Sequence, residues 1–331
     1  MADTTMAGFP FSSDRRGVLA GAVAGLGALA LGGCGRATSG GGLVLGDQVH
    51  LMQAKLEAAH ALDGVSYRYT WASFPGAAPL LEALNAGAVD TAPAGDLPVV
   101  LAVAAGCRLK VVAVSSNAPE SMGVIVPGNS PIRRIADLAG KQVIVSSARG
   151  SIAHYLLLEA LQEADVPLDK VKIGFMLPTE ASAAFASGQI AAWATFGLFQ
   201  ARAEAAGARV LRDGRGIGPG YTLVTASDAA LANPDKRRAI GDVLIRLQRA
   251  NTWARGHLDQ YAQVYARQTG VDGALARTLV ARERPALTAP DDAFLSAVQH
   301  AADRFAEYGM LPRRVHVPDF CDSTLLTARA A

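Results

Sequence analysis

Downstream of residue 42 the chain alternates short, β-rich apolar runs with longer segments whose apolar side chains recur at helical spacing. Residues 43–46 lead into 49–62, 67–71 into 80–86, and 89–92 into 97–105. Strand-sized runs answered by helix-period segments predict βαβ units and parallel sheet. Punctuation agrees, since Gly87 and Gly106 stand where helices should stop and Pro79 and Pro98 near first turns.

Two further strands are predicted at 109–114 and 123–126, ahead of Pro127-Gly128-Asn129-Ser130-Pro131, the most turn-dense stretch in mid-chain. A lobe boundary is expected there. Alternation then resumes as a second parallel unit, with strands at 142–145, 171–175 and 190–194, helices at 152–164, 181–186 and 198–206, and a return strand at 222–225. From Pro234 onward the pattern is mainly helical, over 235–257, 258–268, 273–281 and 291–308. The expected fold class is α/β, two lobes joined by two crossings: lobe I from 43–127 and 222–331, lobe II from 128–221. Ligands of open α/β sheets sit off the carboxyl ends of strands, so the ligand cleft belongs between the lobes.

The first residues follow another pattern. An uncharged, glycine-rich stretch over 17–33 is led by Arg15-Arg16 and closed by Leu31-Gly32-Gly33-Cys34. A basic head, a short apolar body and small residues before the cut are the layout of a secretory signal. Asp14-Arg15-Arg16-Gly17-Val18-Leu19 adds a loose twin-arginine pattern, which leaves the export route open. Residues 1–33 are therefore expected to be a signal peptide of lipoprotein type, Cys34 the lipidated residue, and 34–42 a small, polar tether. A membrane span is the other reading of 17–33, but crossing about 30 Å of hydrocarbon takes about 20 apolar residues. The protein is placed in the periplasm or on the cell surface, anchored through Cys34.

Charge changes little. The removable segment carries two arginines and two aspartates, so the net +2 of the chain is kept and gives no sign of nucleic-acid binding. Cys107 and Cys321 remain as a possible pair or as two separate thiols.

Four segments together resemble the periplasmic solute-binding proteins of the aliphatic sulfonate, taurine and nitrate type that serve ABC importers. They are Gly46-Asp47-Gln48, Phe74-Pro75 followed by the run from Leu80 to Gly87, Gly95-Asp96-Leu97-Pro98, and the run from Gly150 to Leu157. Asp137-Leu138-Ala139-Gly140-Lys141 and the run from Ala183 to Gly188 support the match. The resemblance implies a type II periplasmic binding protein that closes on a small organic oxyanion, a sulfonate or sulfate ester, and delivers it to a membrane permease. It implies no cofactor, and a monomer.

The residues support an anion site on their own account. Gly150-Ser151 lies between a strand and a strongly helical segment, so the amides of Ser151, Ile152 and Ala153 are expected to face outward with about half a positive charge of helix dipole behind them. Ser151 as a simple helix cap is the plainer reading. Arg149 adds a possible fork for a tetrahedral oxyanion. In the other lobe Gly95, Asp96 and Leu97 offer a second helix start, whose amides can meet the same anion while Asp96 caps. Gln48 is a neutral donor and acceptor at the end of the first strand. His154, one turn into its helix, and Tyr221, next to the return crossing, either line the cleft or pack beside it.

Trp193-Ala194-Thr195-Phe196-Gly197-Leu198-Phe199 stands where many relatives read Trp-x-x-Trp-Asp-Pro-Tyr. Gly197 in place of the acidic residue disfavours an amino-bearing ligand, and the aromatics favour an apolar or aromatic substituent. Trp193 and Phe196 are carried as ligand contacts, with the second lobe's core as their alternative; Phe199 is assigned to that core.

Catalytic chemistry has little to work with. The six histidines show no metal-ligand spacing, and no nucleophile elbow, phosphate loop or dinucleotide fingerprint occurs in a suitable context. Desulfinases that resemble this fold carry a nucleophilic cysteine in the first strand-to-helix loop, where this chain has Asp47-Gln48. An enzyme of that kind, or a receptor or sensor for nitrate or another small anion, is the alternative to a transport receptor.

Overall fold

The computed structural model describes residues 42–146, 148–218 and 220–327. The expected signal, Cys34 and residues 34–41 of the expected tether lie outside the described residues.

Strands β1 (Leu43–Gln48), β2 (Tyr69–Phe74) and β3 (Thr91–Gly95) are each followed by a helix, α1 (Leu51–Ala58), α2 (Ala77–Asn85) and α3 (Asp96–Ala104), before β4 (Leu109–Asn117). The chain then builds a second sheet from β5 (Met122–Val126), β6 (Gln142–Ser146), α4 (Ile152–Glu163), β7 (Lys172–Met176), α5 (Pro178–Ala186), β8 (Trp193–Phe196), α6 (Gly197–Ala205) and β9 (Arg209–Asp213). It returns through β10 (Tyr221–Ser227), α7 (Asp228–Ala232), α8 (Pro234–Gly256), α9 (Leu258–Thr269) and α10 (Gly273–Ala281). The edge strand β11 (Glu283–Thr288), α11 (Asp292–Glu307) and α12 (Thr324–Thr327) complete the described chain. The first sheet runs β11-β4-β10-β3-β1-β2 and the second β7-β6-β8-β5-β9.

Both sheets are mixed rather than purely parallel. β1 pairs β2 and β3 in parallel, while β10 enters antiparallel between β3 and β4; β5 is antiparallel to β8 and β9. Two edge strands were not expected from the sequence. β9 and β11 each pair on one side only, and β11 carries Pro285, which a sheet tolerates at its edge because no ladder donor is required there.

The lobe boundary also differs from expectation. Because β5 pairs β8 and β9, the chain changes sheets between Asn117 and Met122, ahead of Pro127. The turn at 127–131 lies inside the second lobe, where the Arg209 guanidinium donates to the carbonyls of Gly128, Ser130 and Ile132. Turn chemistry marks a reversal of direction, not a change of sheet.

The long helix α8 shows the physics of the first lobe. Ile240, Val243, Leu244, Leu247, Ala250, Asn251 and Ala254 recur at three and four residues and are buried, Ile240 to Ala250 in the core under the sheet and Ala254 against α9 and α10. Lys236 at its start donates to both oxygens of the buried Asp90, at 2.7 and 2.8 Å. One core joins the lobes: Leu97 of α3 and Ala301 and Phe305 of α11 pack among Val124, Tyr155 and Leu156 of the second lobe. Cys107 and Cys321 are free thiols, and burial pushes the Cys321 thiol up to about 12. Among the described residues no helix is long and apolar enough to cross a membrane, and no His, Cys, Asp and Glu cluster could hold a metal ion.

Candidate functional site

Strand ends and helix starts of both lobes enclose a cleft of about 470 Å³. The first residues of α1, α2, α3, α4 and α6 all contribute to its wall, through Leu51, Ala77, Pro98, Ile152 and Gly197 among others. This convergence follows from the topology, since each of these helices leaves the carboxyl end of a strand. Charge placement is selective. No acidic residue stands in the first turn of α1, α2, α4 or α6, whereas α5, α7, α8, α9 and α11 each carry one. Two of the five starts at the cleft do meet a carboxylate, α3 through Asp96 in its first turn and α1 through the capping Asp47, so the positive dipole ends left without counter-charge are those of α2, α4 and α6.

At α4 the local chemistry sorts the donors. Gly150, at φ 89°, makes the turn into the helix, and a Cβ there would lie 2.2 Å from Cδ2 of Leu101. Its N–H donates to Nδ1 of His154 at 3.2 Å. Ser151 caps the helix: its Oγ accepts from the His154 N–H at 3.2 Å and donates to the Ser146 carbonyl at 2.6 Å. The Ser151 N–H donates to the Ala148 carbonyl at 3.1 Å, so it is not free as the sequence suggested. Ile152 and Ala153 carry the first-turn amides without a partner among the described residues. Of the three amides expected to face outward, Ser151 drops out and Ile152 and Ala153 remain for an anion.

Asp47 fills the corresponding place at α1. Its carboxylate, 1% exposed, accepts from the N–H groups of Gln48, Met52 and Gln53 at 2.7, 3.2 and 2.9 Å. Burial pushes this carboxyl up to about 6, against the pull of those hydrogen bonds. Next to it Val49 and His50 sit at φ 45° and 61°. For a β-branched residue that is a strained backbone, the kind found at ligand-binding turns. Gln48 is held by a 2.7 Å bond from Nε2 to the Pro93 carbonyl. β3 pairs β1 only at Thr91, so Pro93 stands past the end of that ladder, where its missing donor costs nothing and the cleft opens.

Of the residues expected at the site, the structure brings Gln48, Gly95, Arg149, Gly150, Ser151 and Phe196 to the cleft wall. The other five stand behind it. Asp96 is buried, accepting from its neighbour Leu97 and from Tyr221 at 2.8 Å each, and thereby ties α3 to β10; burial pushes its carboxyl up to about 6. The Leu97 side chain lies in the joint core of the two lobes, and its amide is used by Asp96. Tyr221 packs edge-on against Phe294 at 5.1 Å. Trp193 is core, beside Phe185, with Nε1 donating to Ser146 Oγ at 2.9 Å. His154 is buried between Phe175 and Phe305 and serves the loop, not the cleft. Desolvation and the nearby Arg149 charge lower it to about 4, so the ring is neutral and Nδ1 can accept. Arg149 is exposed on the rim, its guanidinium over the Phe175 ring at 5.5 Å.

Phe199, assigned to the core, both packs there and reaches the cleft wall. Sequence reasoning missed a whole wall from the C-terminal helices: Leu247, Asn251, Leu279, Arg282 and Glu283. Glu283 accepts from Lys55 and, at 2.5 Å, from the Tyr261 hydroxyl. Arg282 pairs with Glu204 of α6, an ion bridge between the lobes. Asn251 was detectable as a lone amide on the apolar stripe of α8.

Comparison with known proteins agrees with this geometry. A family model described as ABC transporter, phosphonate, periplasmic substrate-binding protein matches residues 69–273. A protein of Escherichia coli (strain K12) named for aliphatic sulfonate binding is 32% identical over 255 residues, 76% of this chain and 78% of that protein. The alkanesulfonate-binding protein SsuA from Xanthomonas axonopodis pv. citri, solved bound to MOPS, superposes with a TM-score of 0.78 at 30% identity, over 85% of this chain and 97% of that one. The desulfurization enzyme DSZB, at 18% identity and a TM-score of 0.61 over 86% of this chain and 98% of that one, shares the fold alone. Two mixed α/β sheets with helix starts converging between them, and this degree of identity to binding proteins rather than enzymes, establish that the chain belongs to the aliphatic sulfonate-binding, SsuA-like family of periplasmic substrate-binding proteins of ABC transporters.

Proposed function

We propose that this protein captures an organic sulfonate, sulfate ester or related oxyanion outside the cytoplasm, held to the membrane through lipidated Cys34, and hands it to an ABC permease. The charged head rests on the unpartnered amides of Ile152 and Ala153 at the start of α4, with Gln48, Gly95 and Arg149 around it, and the lobes close over the apolar remainder. One observation carries this reading: the starts of α2 in one lobe and of α4 and α6 in the other meet at one cleft with no acid in their first turns, while acids stand at most helix starts away from it. Hydrogen bonds from such donors to a charged group contribute about 1.5–3 kcal/mol each. The largely apolar lining, with Leu101, Leu198 and Phe199, suits an alkyl or aryl body and gains nothing from bare nitrate.

Calorimetric titration with alkyl and aryl sulfonates, sulfate esters and nitrate, with product analysis of the same samples, tests this. Binding of sulfonates without turnover is expected. Turnover of any member, or affinity for nitrate alone, defeats the reading.

A further inference from the structure

The wall that the C-terminal helices add to the cleft contains an anomaly. Asn251 is 3% exposed, yet its Oδ1 has no hydrogen-bond partner, and none of its side-chain atoms is bonded among the described residues. It stands four residues after Leu247 on the buried stripe of α8, and both line the cleft together with Leu279, Leu287 and Val224. A buried carboxamide in such company destabilises the fold unless something satisfies it, and native proteins leave few such groups unpaired. An apolar side chain would pack there without penalty. The amide is therefore in the wrong place for stability and in the right place for a ligand, the trade that marks specificity residues.

From this geometry we infer that Asn251 is a specificity-determining contact, which selects oxyanions whose organic body carries a neutral hydrogen-bonding group such as a hydroxyl, ether or amide. The carboxamide offers an acceptor and two donors, so it serves either polarity of neutral partner. A plain alkyl chain leaves it unpaired, and the cost of that unpaired amide is what discriminates. The inference rests on the proposed oxyanion site and adds the nature of the ligand's body to it.

The experiment compares unbranched alkanesulfonates, from butane- to octanesulfonate, with their ω-hydroxy counterparts by calorimetry, on the wild type, Asn251→Leu and Asn251→Ala, alongside thermal unfolding of the unliganded proteins. In the wild type at least one hydroxy compound should bind about tenfold more tightly than the alkane of equal length. Both variants should erase that preference, and Asn251→Leu should raise the Tm. Equal affinities at every length in the wild type, a preference that survives in Asn251→Ala, or a lower Tm for Asn251→Leu would each overturn the inference. Alkanesulfonate binding without any preference defeats this inference alone. Failure of every sulfonate to bind defeats the oxyanion site and this inference with it.

Discussion

Substituting Gly150 by alanine tests whether the tip of α4 is built for its task. Two costs can be worked from the geometry. At φ 89° an L-residue is strained, by roughly 1–2 kcal/mol. The added Cβ would stand 2.2 Å from Cδ2 of Leu101, on α3 of the other lobe, so Leu101 must leave its rotamer or the tip must shift, at about 1–3 kcal/mol. Together these cost about 2–5 kcal/mol. Any shift moves the Ile152 and Ala153 amides, and a hydrogen bond to charge is steep in distance. Affinity for the best sulfonate should fall by tenfold or more, about 1.4 kcal/mol for each factor of ten. Calorimetry on wild type, Gly150→Ala, Leu101→Ala and the double variant gives the full cycle. Leu101→Ala should recover about half of the loss, because it removes the overlap but not the φ strain. The reasoning is refuted if Gly150→Ala binds like the wild type, or if the double variant is no better than Gly150→Ala.

Other consequences can be measured directly. His154 is held neutral, with its folded value lowered to about 4 from 6.5, so the unfolded chain takes up the proton first. Its contribution is complete above pH 6.5 and is lost as pH falls from there towards about 4, at up to about 1.4 kcal/mol per pH unit. His154→Asn keeps an acceptor for the Gly150 N–H, so chemical denaturation should show that slope removed while sulfonate affinity at neutral pH is retained. Asp47 and Asp96, pushed up to about 6, impose the opposite slope and cancel in the difference between variant and wild type. Glu204→Gln weakens the bridge to Arg282 between the lobes and should raise Kd by about fivefold, or about 1 kcal/mol, with little change in Tm; an unaltered Kd would show the bridge to be idle. Cys34→Ser should move the protein from the membrane to the soluble fraction, and unchanged fractionation would contradict lipid anchoring.

Particular residues show how far the sequence could be read. The Gly150-Ser151 start of α4 was legible because a glycine and a cap residue ahead of an apolar helix are local chemistry. Which amides remain free was not: that depends on Ala148 turning back to Ser151 and on His154 reaching Gly150. Trp193 reads as a cleft residue from the aromatic motif it shares with Phe196, and Leu97 from its place at a helix start, but positions three apart on a strand face opposite ways and successive positions of a helix start diverge. Asp96 serves Tyr221, 125 residues away, a partner that no spacing rule announces.

Alone, the sequence determined the class and all the main elements but the two edge strands: strand and helix periods, turn residues and caps act over a few residues, and their alternation prescribes α/β lobes with a cleft at the strand ends. Only the tertiary structure decided where the chain changes sheets, that β9 and β11 add edges, and that Asn251, Arg282 and Glu283 come round from the far end of the chain to close the cleft. The contacts that hold this wall are remote in the chain, 228 positions for Lys55 with Glu283 and 78 for Glu204 with Arg282. They arise from burying one face of α8 and its neighbours on a sheet already formed, an energy that belongs to the assembled core and has no local signature in the chain.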